Sequence, residues 1–255
     1  FFVKKLPRYK MKILAVIPAR MASSRYPGKP LKKINGEEMI KIIYQNVDKN
    51  KKLKDTIIAT CDNEIKSFCI KNNMKYIMTS KKHVRASDRT SEAVIKYEKL
   101  NKTKIDLVVM VQGDEPMVDK KMIDMSIKPF KQNKNIKNIN LISKIFKKNI
   151  FVNKNCIKVV KKKNNNALFF SRSPIPFKKL GKNFYGYKQV CIIPFERNFL
   201  FKYLKMKETD LEISESVDMM RVLENGYNVN LVEIKKETFP VDTISDLKKV
   251  SKVMK

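Results

Sequence analysis

Between residues 19 and 30 the chain places Arg20, Arg25 and Lys29 around two adjacent hydroxyls, Ser23 and Ser24, and closes on a Pro-Gly-Lys-Pro turn. Cations, hydroxyls and free backbone amides gathered in one loop suit a polyphosphate. In so lysine-rich a chain, a basic loop is also read simply as a solvated one. A second group of chemistry-bearing residues is Gly113-Asp114-Glu115-Pro116. Hard divalent cations take oxygen ligands, and Mg²⁺ commonly uses one or two carboxylates together with substrate phosphates, which makes Asp114 a candidate metal ligand. The same four residues also suit a β-turn that caps a following helix. Near the end of the chain, Asp242-Thr243 and Asp246 precede an apolar segment, a pattern that by itself reads as a helix N-cap.

The elements around these residues predict where they meet. Ile13 to Ile17 is an unbroken apolar run, as expected of a strand buried on both faces of a parallel sheet. Pro18 cannot donate to a ladder and should end it, spilling the chain into the basic loop. Apolar spacing then predicts a helix over 37–50, a strand over 56–60, and a helix over 63–72 capped by Asp62. A strand over 76–78, a polar loop over 79–89, a helix over 90–100 and a buried strand over 105–111 follow. Alternation of apolar strands with helices predicts an α/β fold, a mostly parallel sheet with helices on both faces. The first loop and Asp114 then share the carboxyl edge of that sheet.

After residue 135 the rhythm changes. Strands are expected over 138–146, 156–160 and 167–171, with a hairpin-like turn at 161–166. A strand over 189–193, a helix over 196–204, a helix over 211–225 stopped by Gly226, a strand over 229–234 and a helix over 244–254 complete the chain. The expectation is one domain from 11 to 255, with a smaller sheet insertion at about 136–225 for substrate and dimer contacts. Residues 1–10 read as an extension outside the fold, too short of apolar length for a signal peptide.

Composition narrows the classes. The 255 residues, 43% hydrophobic, suffice for one large α/β domain, and the formal charge is +31. The lysines are spread over most of the length with few interleaved aromatics, so neither nucleic acid nor a membrane is expected as a partner. The alternative class is a non-catalytic basic protein that binds RNA or an anionic surface. One histidine, His83, leaves no room for most His-based metal sites or a Ser-His-Asp triad. Four cysteines without a C-x-x-C pair read as reduced thiols of a cytoplasmic protein.

Taken in order, these motifs closely resemble the sugar-nucleotide cytidylyltransferases, and within them the 3-deoxy-manno-octulosonate (Kdo) cytidylyltransferases. The first loop, A-R-x-x-S-S-R-x-P-G-K-P, is neither a Walker A loop nor a G-x-G-x-x-G turn but matches that family's signature. V-Q-G-D-E-P at 111–116, Ser87-Asp88-Arg89, F-S-R-x-x-I-P at 170–176 and Val241-Asp242-Thr243 follow in the family's order. The resemblance implies a Rossmann-like nucleotide-sugar transferase fold and transfer of CMP from CTP to an acidic 3-deoxy-ulosonic sugar, most readily Kdo.

It further implies a homodimer and Mg²⁺ held by Asp114 and Asp242. Ala19, Arg20, Ser23, Lys29 and Arg89 would contact the nucleotide, and Gln112, Arg172, Gln189 and Glu215 the sugar. Arg20 and Lys29 would act on the phosphates beside the two aspartates. The chain departs from the family at Gln189, where a histidine is usual, and at Asp218-Met219, where Glu-Gln is usual. Loss of polar groups there would suit a modified ulosonic acid as an alternative substrate.

Overall fold

The structure, a computed structural model, describes residues 11–22, 25–177 and 185–255. Its first sheet is built on β1 (Ile13–Pro18), flanked in parallel by β4 (Asp55–Thr60) and β6 (Leu107–Val111). Beyond β4 lies β5 (Tyr76–Met78), parallel, and beyond β6 lies β11 (Ile192–Glu196), antiparallel. The unbroken apolar run of β1 is explained by its two packed faces. Ile13, Ala15 and Ile17 enter one core and Leu14 and Val16 the other. The same division splits β6, with Leu107, Val109 and Val111 on one side and Val108 and Met110 on the other.

Helices α1 (Met39–Asp48), α2 (Asn63–Lys71), α3 (Ala86–Leu100) and α4 (Lys120–Gln132) connect the strands of this half. Helix α1 starts two residues later than expected, because Glu37–Glu38 forms β3 against β2 (Lys33–Ile34). Helix α3 starts four residues earlier. Ser87, Arg89 and Thr90 are buried in its first turns, so side chains that read as loop residues are packed into the interior. Helix α4 carries Pro129 inside it and is capped by Asp119, which accepts from the Met122 amide at 2.9 Å. Asp62 does not cap α2 with its side chain. Its carboxylate instead accepts from the Met21 amide at 2.7 Å and ties down the basic loop.

The second sheet has the order β12-β7-β10-β8-β9 and, like the first, contains five strands. They are β7 (Ile139–Ile145), β8 (Lys158–Lys161), β9 (Ala167–Ser171), β10 (Gly186–Val190) and β12 (Asn230–Ile234). Only β12 with β7 is parallel; the other pairs are antiparallel. The short helix α5 (Lys148–Phe151) follows β7.

Two expected elements are broken in two. The strand expected over 189–193 is the end of β10 and the start of β11, which lie in different sheets and are separated by Cys191 alone. Apolar character runs across the crossing, so the pattern hides it. The helix expected over 211–225 becomes α7 (Asp210–Glu215) and α8 (Asp218–Glu224), divided at Ser216, whose φ is +49°. Tertiary bonds to the carbonyls of Glu215 and Ser216 hold that break open. Helices α6 (Arg197–Lys205) and α9 (Ile244–Val253) match expectation closely. The proposed extension at 1–10 lies outside the described residues.

Candidate active site

The carboxyl ends of β1 and β6 come so close that a Cβ at Gly113 would sit 2.8 Å from the Pro18 carbonyl oxygen. Only glycine fits there without displacing backbone. Two loops leave this edge side by side. The basic loop is anchored at Ala19, whose amide donates to Ala59 O at 2.9 Å, and at Gly28, whose amide donates to Met21 O at 3.0 Å. Gly28, at φ +69°, turns the chain into a 3₁₀ turn at Lys29–Leu31 and aims Lys29 inward. The Gly113–Pro116 loop is tied to the distant 241–243 segment by a bond from the Val241 amide to Asp114 O, 2.9 Å.

Lys29 is the centre of the resulting charge cluster. Its Nζ lies 2.9 Å from Asp114 Oδ2 and 3.4 Å from Asp242 Oδ1, and Arg25 Nη2 lies 2.9 Å from the same Asp242 oxygen. Burial of the ammonium works against its charge, but the two carboxylates outweigh that and raise its pKa above the ordinary lysine value. Asp242 is pushed up by burial first and by Asp114 second, with Lys29 and Arg25 opposing. The helix-cap role that the sequence allows Asp242 is taken by its neighbours. Thr243 Oγ1 accepts from the Asp246 amide and Asp246 accepts from the Thr243 amide, a capping box that leaves the Asp242 carboxylate for the cluster.

Beside this cluster is a cavity of about 240 Å³ lined in part by Ala19, Arg20, Lys29, Arg89, Gln112 and Asp114. Six residues marked out in the sequence are thus brought to one place, and Asp242 joins them through Lys29. Arg89 is almost wholly buried. Its guanidinium donates to Thr79 Oγ1 and to His83 O, so it also braces the wall of the cavity. Ser23 lies outside the described residues.

Arg172, Glu215 and Gln189 are not in the lining of that cavity. Arg172 donates through Nε to Glu215 O at 2.7 Å, through Nη1 to Lys154 O at 3.1 Å and through Nη2 to Ser216 O at 3.3 Å. The Glu215 carboxylate accepts from Ser171 Oγ and from the Arg172 amide. Gln189 Nε2 donates to the buried Asn140 Oδ1 at 2.6 Å. In this state the pair Arg172 and Glu215 holds β9 against the α7–α8 break.

The cytidylyltransferase family model matches residues 14–237. Over 245 residues the chain is 39% identical to the 3-deoxy-manno-octulosonate cytidylyltransferase of Fusobacterium nucleatum subsp. nucleatum, with 96% of this chain and 98% of that protein covered. The chain belongs to the 3-deoxy-manno-octulosonate cytidylyltransferase family. The enzyme of the same name from Trichlorobacter lovleyi is 36% identical, covering 96% of this chain and 99% of that one. The solved structure of CMP:2-keto-3-deoxy-manno-octonic acid synthetase complexed with CTP has a TM-score of 0.84 at 31% identity, covering 95% of this chain and 98% of that one. A cytidylyltransferase from Leptospira borgpetersenii shares the fold at 19% identity and a TM-score of 0.63.

The positions where the chain departs from other 3-deoxy-manno-octulosonate cytidylyltransferases have partners of their own. Met219 is fully buried in the core beside Met220 and Tyr203, so no polar group is missing from a cavity there. Asp218 accepts from Arg85 Nη1 at 3.0 Å and from Ser87 Oγ at 3.1 Å. The argument for an altered substrate at 218–219 therefore fails on packing. Three residues take part that no motif singles out by role. Arg25 joins Asp242, and Arg85 lines the cavity while pairing with Glu208, Glu212 and Asp218. Glu115, buried beside Asp114, accepts from the Cys191 amide at 2.9 Å where the chain changes sheets. Burial and the Asp114 charge push its carboxyl up to about 7. Arg25 and Glu115 stand inside the two charged loops, where their residue types are the signal; nothing local announces Arg85.

Proposed function

We propose that this chain joins CTP to 3-deoxy-manno-octulosonate, giving the CMP-sugar and pyrophosphate. The anomeric oxygen of the sugar forms a bond to the α-phosphorus, the bond from that phosphorus to the pyrophosphate oxygen breaks, and the hydroxyl proton is released. The observation that carries this reading is the meeting of Lys29, Asp114 and Asp242 at the edge of β1 and β6, beside a cavity that also collects Arg20, Arg89 and Gln112.

Lys29 and Arg20 are read as the groups that hold the phosphates and offset charge on the departing pyrophosphate. No covalent bond to the protein is needed, so rate comes from positioning and neutralisation. Ala19 and Arg89 would seat the nucleotide, with Ser23 from the same loop, and Gln112 would face the sugar. Arg172, Gln189 and Glu215 are read as the sugar side, where a guanidinium suits the sugar carboxylate. To serve so, Arg172 must exchange a carbonyl partner for the substrate.

The donor set fits Mg²⁺. Asp114 and Asp242 already direct oxygens at one cation, and among the described residues no third His, Cys, Asp or Glu completes a cage. Two carboxylates with the remaining positions left to phosphates and water is the usual Mg²⁺ arrangement. When bound, the metal neutralises phosphate charge and lowers the pKa of an oxygen it contacts.

We further read the enzyme as a cytoplasmic homodimer whose product feeds lipopolysaccharide or capsule assembly. Exposed Phe146, Leu168 and Phe177 in the second half are apolar surface that a partner would cover. Incubation with CTP, Mg²⁺ and 3-deoxy-manno-octulosonate should release pyrophosphate, with none when the sugar is omitted. Absence of release from folded protein would end this reading.

A further inference from the structure

The two carboxylates read as metal ligands already have cationic partners in the protein. Asp242 Oδ1 is shared by Arg25 and Lys29, and Asp114 Oδ2 is held by Lys29. Two side-chain cations on two carboxylates bring the cluster to zero net charge. A divalent cation arriving alone would meet neutralised ligands and two like charges close by, which opposes its binding. A triphosphate reverses that balance, because it offers Arg25 and Lys29 other anionic oxygens and frees the carboxylates.

Arg25 is held from a second direction as well. Its Nη1 donates to Asn155 Oδ1 at 3.0 Å, in the turn between α5 and β8. That turn is itself anchored. The buried Lys158 Nζ donates to Asn153 O at 2.9 Å and to Cys156 O at 2.5 Å, and Arg172 Nη1 donates to Lys154 O. The guanidinium of Arg25 therefore spans from the phosphate loop to a fixed turn of the second sheet and passes Asp242 on the way.

We propose that Arg25 keeps Asp242 closed to the metal until a triphosphate draws its guanidinium away, so that Mg²⁺ follows the nucleotide into the site. This rests on the reading of Asp114 and Asp242 as metal ligands, and the test separates the two. Mn²⁺ serves as the probe, with its free concentration read by electron paramagnetic resonance. The full chain is titrated as wild type, Arg25→Gln, Arg25→Lys and Asp242→Asn, with and without CTP, and without sugar so that nothing turns over. Free Mn²⁺ in CTP solutions lacking protein provides the reference.

Without CTP, Arg25→Gln should bind Mn²⁺ about three- to fivefold more tightly than wild type, the size expected for a half-exposed charge pair. Arg25→Lys should behave as wild type. The difference should shrink at high ionic strength and vanish once CTP is present. A purely structural Arg25 would shift the melting temperature and leave metal affinity alone. Equal Mn²⁺ affinity of wild type and Arg25→Gln without CTP, with Asp242→Asn still losing the metal, would overturn the gating role and leave the metal site standing. If Asp242→Asn binds Mn²⁺ as wild type does in both conditions, the metal assignment itself falls.

Discussion

Among the described residues, a cluster of arginine, lysine and carboxylates at the sheet edge and one of arginines and carboxylates at the α7–α8 junction differ in what they face. At the sheet edge, Arg25 and Lys29 meet Asp114 and Asp242 beside an open cavity, with the Arg25 side chain 47% exposed. At the α7–α8 junction, Arg221 clasps Glu212 through Nε at 2.6 Å and Nη2 at 2.8 Å. Glu212 there is fully buried, and Arg85 closes over it at 3.3 Å. The first cluster can exchange its partners for a ligand. Around the Glu212–Arg221 pair there is no room for one, although Arg85 at the rim also lines the cavity, and the charges of this cluster serve to fix the break between two short helices. Charged residues at motif spacing therefore say little until it is known whether they face a cavity or one another.

Disruption of the closed cluster should have the largest effect on stability. Glu212→Gln strips a bidentate partner from a buried guanidinium, and a loss of roughly 3–5 kcal/mol is expected in urea denaturation. A change under about 1 kcal/mol would mean that water or Glu208 compensates, and that the cluster is more open than its geometry indicates.

Glu115 sits between the two regimes, buried but adjacent to the open cluster, and its ionisation gives a pH signature. Its folded-state carboxyl titrates at about 7, against an ordinary value of 4.5. Between these values the native state holds a proton that the unfolded chain has released, so stability should fall as pH rises from 4.5 to 7 and level off above that. Glu115→Gln, measured in EDTA, should remove up to about 3 kcal/mol of that fall. An identical slope in the variant would place the titration elsewhere.

Lys29→Met should affect both activity and stability. Turnover should drop about 10²-fold if the ammonium supports the phosphates. In metal-free buffer the variant should also lose about 2 kcal/mol, because Asp114 then loses its cation and faces Asp242 with Arg25 alone left to offset the two charges, and Mg²⁺ should restore it. A stability loss that Mg²⁺ leaves untouched would detach the metal from this pair. The smallest effect belongs to Glu208, on the solvent side of the closed cluster. Glu208→Gln should leave the denaturation midpoint unchanged within error, and a clear shift would show the cluster extending further than drawn.

Much of the edge site was legible in the sequence because its parts are local. A buried strand, a proline stop and a basic loop place Lys29, and a second buried strand places Asp114. The resemblance then joined Asp242 to them across the length of the chain. What was not legible depends on tertiary contact. Helix α3 takes in four more residues because Ser87 and Arg89 are buried against partners outside the helix, Asp218 and Thr79, where helix periodicity reads a loop. The division of 211–225 depends on carbonyls bonded by Arg172. The change of sheet at Cys191 is masked by apolar residues on both sides, and the fixing bonds from Glu115 and Gln112 come from another element. No element is expected over 120–132, where α4 runs with Pro129, a residue disfavoured beyond a helix's first turn, in its last turn.

The most direct test of the contrast is turnover per folded molecule in Asp242→Asn beside Glu212→Gln. Each is assayed for pyrophosphate release at saturating CTP, Mg²⁺ and 3-deoxy-manno-octulosonate, at a temperature where the folded fraction of each is known. Asp242→Asn should stay folded and lose about 10²- to 10³-fold in turnover. Glu212→Gln should lose folded protein and keep near-wild-type turnover in what remains. Near-normal turnover in Asp242→Asn, or a folded Glu212→Gln that no longer turns over, would contradict the assignment of chemistry to the open cluster and structure to the closed one.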